Sequence, residues 1–159
     1  MIMGLFDGAT LIAALGAGVI AGVFFAFSSF VMRALAKLPP AQGIAAMQSI
    51  NVVVINPAFL GTLFGTGALC LVLGAIALTD LAADGAAWRL AGALLYLLGC
   101  IGVTAFGNVP RNNRLAGLDP ADAASAEIWA LYVAEWTAWN HVRTVAALAA
   151  AACFILALA

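Results

Sequence analysis

Charge is what this sequence has least of. Six residues are lysine or arginine and seven are aspartate or glutamate, so 8% of the 159 residues are charged while 66% are hydrophobic. Mean hydropathy is +1.14. A water-soluble domain carries about 25% charged residues. Too few polar side chains are present to cover a soluble surface, and the composition implies an integral membrane protein. A net charge of −1 supplies no basic patch and excludes nucleic acid as a partner. Cysteine is scarce as well. Cys70, Cys100 and Cys153 each lie inside an apolar run, with no CxxC pair, which reads as buried small hydrophobes rather than disulfides. A single histidine, His141, excludes a histidine metal cage, and no metal site is expected.

What the chain does have is apolar runs of membrane length. Four stand out, at about 9–35, 57–79, 86–107 and 139–159. Each is near the ~20 residues that a spanning helix needs. The first lacks a basic start and is too long for a signal peptide, so it reads as a retained span. The expected architecture is all-α: an integral membrane four-helix bundle forming one domain over residues 1–159. The basic residues set the orientation. Arg33 and Lys37 follow the first run, Arg111 and Arg114 follow the third, Arg143 opens the fourth, and only Arg89 lies on the other face. Both termini are therefore expected outside the cytoplasmic membrane, with the two basic connections inside.

Neither basic connection reads as a simple loop. "PPAQGIAAMQSINVVVINP" opens with a proline pair and places Ile44, Met47, Ile50 and Val54 on one helical face. It is expected to form an interfacial helix that bends into the second span at Pro57. After "LDP" no proline or glycine interrupts the chain. Asp119 as cap and Pro120 in the first turn predict a helix of about forty residues, roughly 60 Å long. Such a helix either projects into the cytoplasm or breaks near Trp139. Small residues (Ala14, Gly18, Gly22 and Ala26 at four-residue spacing; Gly61 and Gly65; Gly99 and Gly107, with Gly92 further back) offer flat faces for bundle packing or for a homo-oligomer seam.

Polar side chains gather at the end expected to be cytoplasmic. Asn51 and Asn56 precede the second span. Asn108, Arg111 and Asn112 leave the third. Tyr132, Glu135, Trp136, Trp139, Asn140, His141 and Arg143 lead into the fourth. Trp129, Tyr132, Trp136, Asn140 and Arg143 follow steps of three and four and share one helical face, with His141 about 100° round from Asn140. Phe24, Phe25, Phe27, Ser28 and Phe30 of the first span lie at matching depth. Each group also has a structural use: aromatic belt, topology determinant, helix cap or interhelical glue. Amides from three segments beside aromatic walls describe a pocket for a flat, partly polar ligand such as a phenol, ketone or quinone. Amide and guanidinium donors suit a phenolate or enolate oxygen. An imidazole suits removal of a carbon-bound proton.

"GVFFAFSSFVMRAL", "LPPAQGIAAMQSINVVVINPAF", "FGNVPRNNRL" and "WALYVAEWTAWNHVRT" together resemble the anthrone oxygenase family, in the family's order and over nearly the whole chain. The resemblance implies a four-helix membrane protein that oxidises an anthrone-like polycycle to a quinone with O2 and without cofactor. It implies His141 as the base. It implies Asn140, Arg143, Asn108 and Asn112 as groups that bind or polarise substrate oxygens, and Trp136 and Trp139 as walls of a ring slot. Asn51, Asn56, Arg111, Tyr132, Phe25 and Ser28 complete the expected substrate contacts. The rival reading is a non-catalytic membrane protein that binds a quinone-like or lipid-like aromatic in the same slot.

Overall fold

The computed structural model describes residues 4–159, and among these there are helices and turns and no strand. Four helices are long and apolar enough to cross a membrane: α1 (Leu5–Ala36), α3 (Pro57–Thr79), α4 (Ala86–Ala116) and α5 (Ser125–Leu156). The fifth, α2 (Pro40–Val53), is the expected helix before the second span. The all-helical membrane bundle read from composition is the fold observed.

Proline and asparagine punctuate the chain at the α2 end. Pro40 opens α2 at its first turn, where a missing N–H costs nothing. Asn56 then caps α3, its Oδ1 accepting from the Phe59 N–H at 3.0 Å, with Pro57 in the first turn. At the opposite end Gly85 takes φ +72°, a left-handed conformation that glycine adopts without strain, and lies against the end of α5 at Ala157. Arg89 ties α4 to α1 there, with Nη2 3.0 Å from Asp7 Oδ1 and Nε donating to Thr10 Oγ1 at 3.1 Å.

Two boundaries differ from expectation. Helix α5 begins at Ser125, not near Pro120. The Asp119 and Asp122 side chains accept from the N–H groups of Ala121 and Ala124, both at 2.9 Å, and these local turns hold the segment out of the helix. From there α5 runs without a break through Trp139, about 48 Å in all. The fourth spanning helix is long, as expected, and at the same end α4 extends past its apolar run with α2 packed beside it. Helix α4 continues to Ala116 rather than stopping at 107. Two stretches of it, Leu95–Gly102 and Thr104–Asn108, are wound with i→i+5 hydrogen bonds, and Val109 N–H reaches Thr104 O. That wider turn admits the Pro110 ring, which an ordinary turn would exclude. A third such turn, Phe27–Val31, lies in α1.

Two apolar cores stack along the bundle. The first joins Ala13, Ala17, Ile20 and Phe24 of α1 to Leu73 of α3, Tyr96 and Cys100 of α4, and Phe154 of α5. The second joins Met32 and Leu35 to Ile44 and Met47 of α2, Leu115, Trp129, Tyr132 and Trp136. Ile44 and Met47 face inward as their spacing predicts. Gln48 secures the junction by donating to the Leu115 and Leu118 carbonyls at 2.9 and 3.0 Å, which closes the end of α4.

The small-residue faces divide. Gly92, Gly99 and Gly107 are true packing positions, since an added Cβ would meet Phe154, Ala146 and Trp139 at 2.9, 2.5 and 2.9 Å. Gly18, Gly22, Gly61 and Gly65 face outward with open space around them. On α1 the packing stripe is Ala13, Ala17 and Ala21, one residue away from the glycines. Gly99→Leu is expected to destabilise the bundle by about 2 kcal/mol through overpacking, while Gly18→Leu and Gly61→Leu stay within about 0.5 kcal/mol of wild type. Thermal unfolding of the three variants in detergent checks the contrast.

Candidate functional site

Where the two cores meet, α5 places a polar layer inside the bundle. Asn140 is fully buried and Arg143 is 5% exposed. Three residues apart, they share a helical face, and Arg143 Nη2 donates to Asn140 Oδ1 at 2.7 Å. Both hydrogens of the Asn140 amide point into α1: Nδ2 donates to the Phe24 carbonyl and to Ser28 Oγ, each at 2.7 Å. Thr144 Oγ1 donates to the Asn140 carbonyl at 2.9 Å, so its 3.0 Å contact with Ser28 Oγ must be donated by the serine. The turn Phe27–Val31 surrounds this contact, as such turns often do where a helix meets a functional group.

Arg143 is bound on its other side to α4. Nη1 donates to Thr104 Oγ1 at 3.3 Å, and the threonine passes its own hydrogen to the Cys100 carbonyl at 2.8 Å. The guanidinium lies over the Phe24 ring at 4.1 Å and over the Trp136 ring at 5.1 Å. Among the described residues the ion pairs are Arg89–Asp7 and Arg111–Glu135, so no carboxylate pairs with Arg143. Cation–π contacts return part of the desolvation cost, about 2 kcal/mol for a dehydrated cation, against a penalty of several kcal/mol for burying one. Two polar atoms in this region are buried without a partner, Arg143 Nε and Asn108 Oδ1. Asn108 is 1% exposed and donates Nδ2 to the Trp136 carbonyl at 3.1 Å.

An aromatic column leads from this layer toward α2. Trp136, Tyr132 and Trp129 stack with centroids 6.3 and 5.6 Å apart, and Phe27 tilts against Trp136 at 5.5 Å. Asn112 fixes the column, its Oδ1 accepting from Tyr132 Oη at 3.0 Å and from Trp136 Nε1 at 2.8 Å. Asn51 lies beside the Tyr132 hydroxyl with its Nδ2 unpartnered.

The structure thus brings together Asn140, Arg143, Ser28, Asn108, Asn112, Tyr132, Trp136 and Asn51. It separates the remaining expected site residues from them. His141 is exposed on the outer side of α5, one residue round from Asn140, as the 100° step dictates. Phe25 is 56% exposed and turned outward; Phe24, one position earlier, is the ring that meets Arg143. Trp139 is 40% exposed and lies over Gly107, with the Arg111 guanidinium 5.6 Å from its ring. Arg111 pairs with Glu135 at 2.9 Å and donates Nη1 to the Gly107 carbonyl at 2.7 Å. Asn56 is a helix cap whose Nδ2 also donates to Val53 O at 3.0 Å. The single hollow expected to join Asn56, Asn108 and His141 is therefore replaced by a closed polar layer. Thr144 belongs to that layer without having been singled out, although its place one turn after Asn140 carries the signal. A separate cleft of about 220 Å³ lies at the opposite end, between Phe6, Leu73, Ile76 and Arg89.

Asn140→Leu strands one guanidinium N–H in a buried site and removes the amide donor from Ser28 Oγ and the Phe24 carbonyl. It is expected to cost about 3 kcal/mol. Asn112→Leu, which removes one acceptor from two buried donors, is expected to cost about 2 kcal/mol. His141→Ala should fall within about 0.5 kcal/mol of wild type. Unfolding curves in detergent rank the three.

The family model for anthrone oxygenase matches residues 57–153, which is α3, α4 and α5 nearly to its end. No curated protein and no solved structure matches the chain. The matched region holds Asn108, Asn112, Trp136, Asn140 and Arg143, while Phe24 and Ser28 are added by α1 outside it. With more than half of its length matched, the chain belongs to the anthrone oxygenase family.

Proposed function

We propose that this protein is a cofactor-independent monooxygenase that converts an anthrone-like ketone to the corresponding quinone. The observation that carries the reading is the buried Arg143 guanidinium, which has no carboxylate partner and is faced by two aromatic rings. A charge buried this way is useful where a reaction builds negative charge, and a dry site magnifies its effect. In the balanced reaction a ring methylene gives up both hydrogens and becomes a carbonyl. One atom of O2 enters as the carbonyl oxygen, and the other leaves with the two hydrogens as water. Loss of a proton from the methylene beside the carbonyl system gives a delocalised carbanion. One electron passes to O2, the ring radical and superoxide combine to a hydroperoxide, and loss of water leaves the new carbonyl.

Two features support a planar, partly polar substrate. The Trp129–Tyr132–Trp136 column offers stacked faces near the charge. Asn51 Nδ2 is an open donor suited to a ring carbonyl or enolate oxygen, and Asn108 Oδ1 is an open acceptor suited to a phenolic O–H. His141, facing outward, is no longer the group on which the chemistry rests. In this reading the methylene proton leaves to water at the membrane boundary, and Arg143 and Asn140 carry the electrostatic work. The basic residues Arg33, Lys37, Arg111 and Arg114 support a cytoplasmic position for this end of the bundle by the positive-inside rule. The substrate partitions from the bilayer into that end.

Purified protein supplied with an anthrone in air should form the quinone faster than detergent buffer does. Arg143→Met should lower kcat by about 100-fold or more, the scale for removing an electrostatic donor, and His141→Ala should stay within about 3-fold of wild type. Conversion no faster than buffer would sink the oxygenase reading. An anthrone or quinone retained without turnover would point to the non-catalytic binding protein instead.

A further inference from the structure

Arg143 has donors left over. Nη2 donates one hydrogen to Asn140 Oδ1 and Nη1 one to Thr104 Oγ1, the Phe24 and Trp136 rings lie 4.1 and 5.1 Å from the guanidinium carbon, and Nε is buried with no partner. Nε is the one guanidinium nitrogen with no partner at all: an edge of a delocalised cation, enclosed by packed side chains. Asn140, Asn108, Phe24 and Trp136 around it are all 5% exposed or less. An oxygen fixed to a three-ring skeleton reaches such an edge only if the aromatic column is displaced. A diatomic demands far less displacement than a three-ring skeleton, and O2, being small and apolar, dissolves in the bilayer that surrounds the helices. The surrounding groups are neutral amides and hydroxyls, so an anion at Nε meets no like charge among the described residues; the nearest carboxylate in sequence, Glu135, is held by Arg111.

We propose that the Nε edge of Arg143 is a small-anion site and that its occupant during turnover is superoxide rather than the enolate oxygen of the ring. The assignment of superoxide rests on the oxygenase reading above; the anion site itself does not. Neutral O2 occupies the position weakly. When the ring carbanion gives up one electron it becomes a ring radical, and O2 becomes superoxide beside a fixed positive charge. The charge favours this transfer because it acts on the product anion and not on the neutral reactant. Superoxide then moves out from the edge to the ring radical beside the aromatic column, the two form the new C–O bond, the peroxide anion takes a proton, and the hydroperoxide later loses water. Arg143 lowers the barrier to oxygen reduction and leaves proton removal unchanged.

Stopped-flow mixing separates the two steps. Anthrone is first mixed with protein under anaerobic conditions and enolate absorbance is recorded; an O2 pulse follows, and the oxygen-dependent rate constant is measured. In Arg143→Met the enolate phase should stay within about 3-fold of wild type while the oxygen step falls by about 100-fold. Arg143→Lys, which keeps the charge, should recover most of it. A loss confined to the enolate phase would show that Arg143 holds the ring oxygen and would overturn the proposal. Azide, a linear anion of superoxide-like size, supplies an arm that requires no variant. It should compete with O2 in the wild-type protein and not with anthrone, and its infrared stretch should show saturable binding to the resting protein. Absence of saturable azide binding rejects the anion site whatever the turnover result. If the wild type binds azide but never oxidises anthrone, the oxygenase reading and the superoxide assignment fall together and the anion site stands.

Discussion

The hydrogen bond from Arg143 to Asn140 is the constraint around which this bundle is organised. It holds a guanidinium in a hydrocarbon interior by satisfying one end of it, while the same asparagine uses both of its amide hydrogens on α1. A buried charge with unsatisfied donors is among the most destabilising features a fold can carry. The positions of α1 and α4 are therefore fixed by what Arg143 and Asn140 require. The Phe24 carbonyl, the Ser28 hydroxyl and the Thr104 hydroxyl must all reach α5 at one level. No other layer of the bundle joins three of its helices through side-chain hydrogen bonds among the described residues.

Irregular winding in α1 and α4 follows that layer. An i→i+5 turn rotates the side chains beyond it relative to an ordinary helix and loosens the carbonyl ladder, so polar groups from a neighbouring helix can be accepted. The turn at Phe27–Val31 includes Ser28, and the turn at Thr104–Asn108 includes both Thr104 and Asn108. The same winding lets α4 pass Pro110 and continue to Asn112, which then locks Tyr132 and Trp136 through one carbonyl oxygen. Without that continuation the aromatic column would have no polar anchor on α4. Local helix distortion, the placement of the asparagines and the orientation of the indole are one arrangement seen at three scales.

Much of this was legible in the residues. Hydropathy marked all four spanning helices, and the three- and four-residue steps through Trp129, Tyr132, Trp136, Asn140 and Arg143 identified the inward face of α5 from spacing alone. Register within α1 was not legible. Phenylalanines at 24, 25, 27 and 30 are equally apolar, and only the contact of Asn140 with α1 selects Phe24 over Phe25. Glycine spacing did not separate bundle packing from an oligomer seam: Gly18 and Gly22 repeat every four residues but face outward, while Ala13, Ala17 and Ala21 repeat on the neighbouring face and pack within the bundle. Asn56 and Asn108 look alike beside their helix ends, yet Asn56 precedes a proline at the first turn and is a cap, while Asn108 falls inside a continuous helix and is turned inward. His141 drew attention as the lone imidazole. Its angular offset from Asn140, available from the sequence, was the stronger signal.

The chemistry of the layer argues against a purely structural role. If the bundle needed only an interhelical clasp, Asn140 with Ser28 and Thr144 would already provide one, because those three groups satisfy each other between α1 and α5. Arg143 adds a desolvated charge that this clasp does not require, and replacing such a group by an apolar one of similar volume commonly stabilises a fold. The charge is also less exposed than either arginine that has a carboxylate, since Arg89 and Arg111 keep 15% and 26% of their side-chain surface. The two paired cations thus keep contact with solvent, and the unpaired one is sealed in. That distribution is the reverse of what electrostatic stability favours. It is the distribution expected under the proposed oxygenase reading, in which the missing negative charge arises during the reaction.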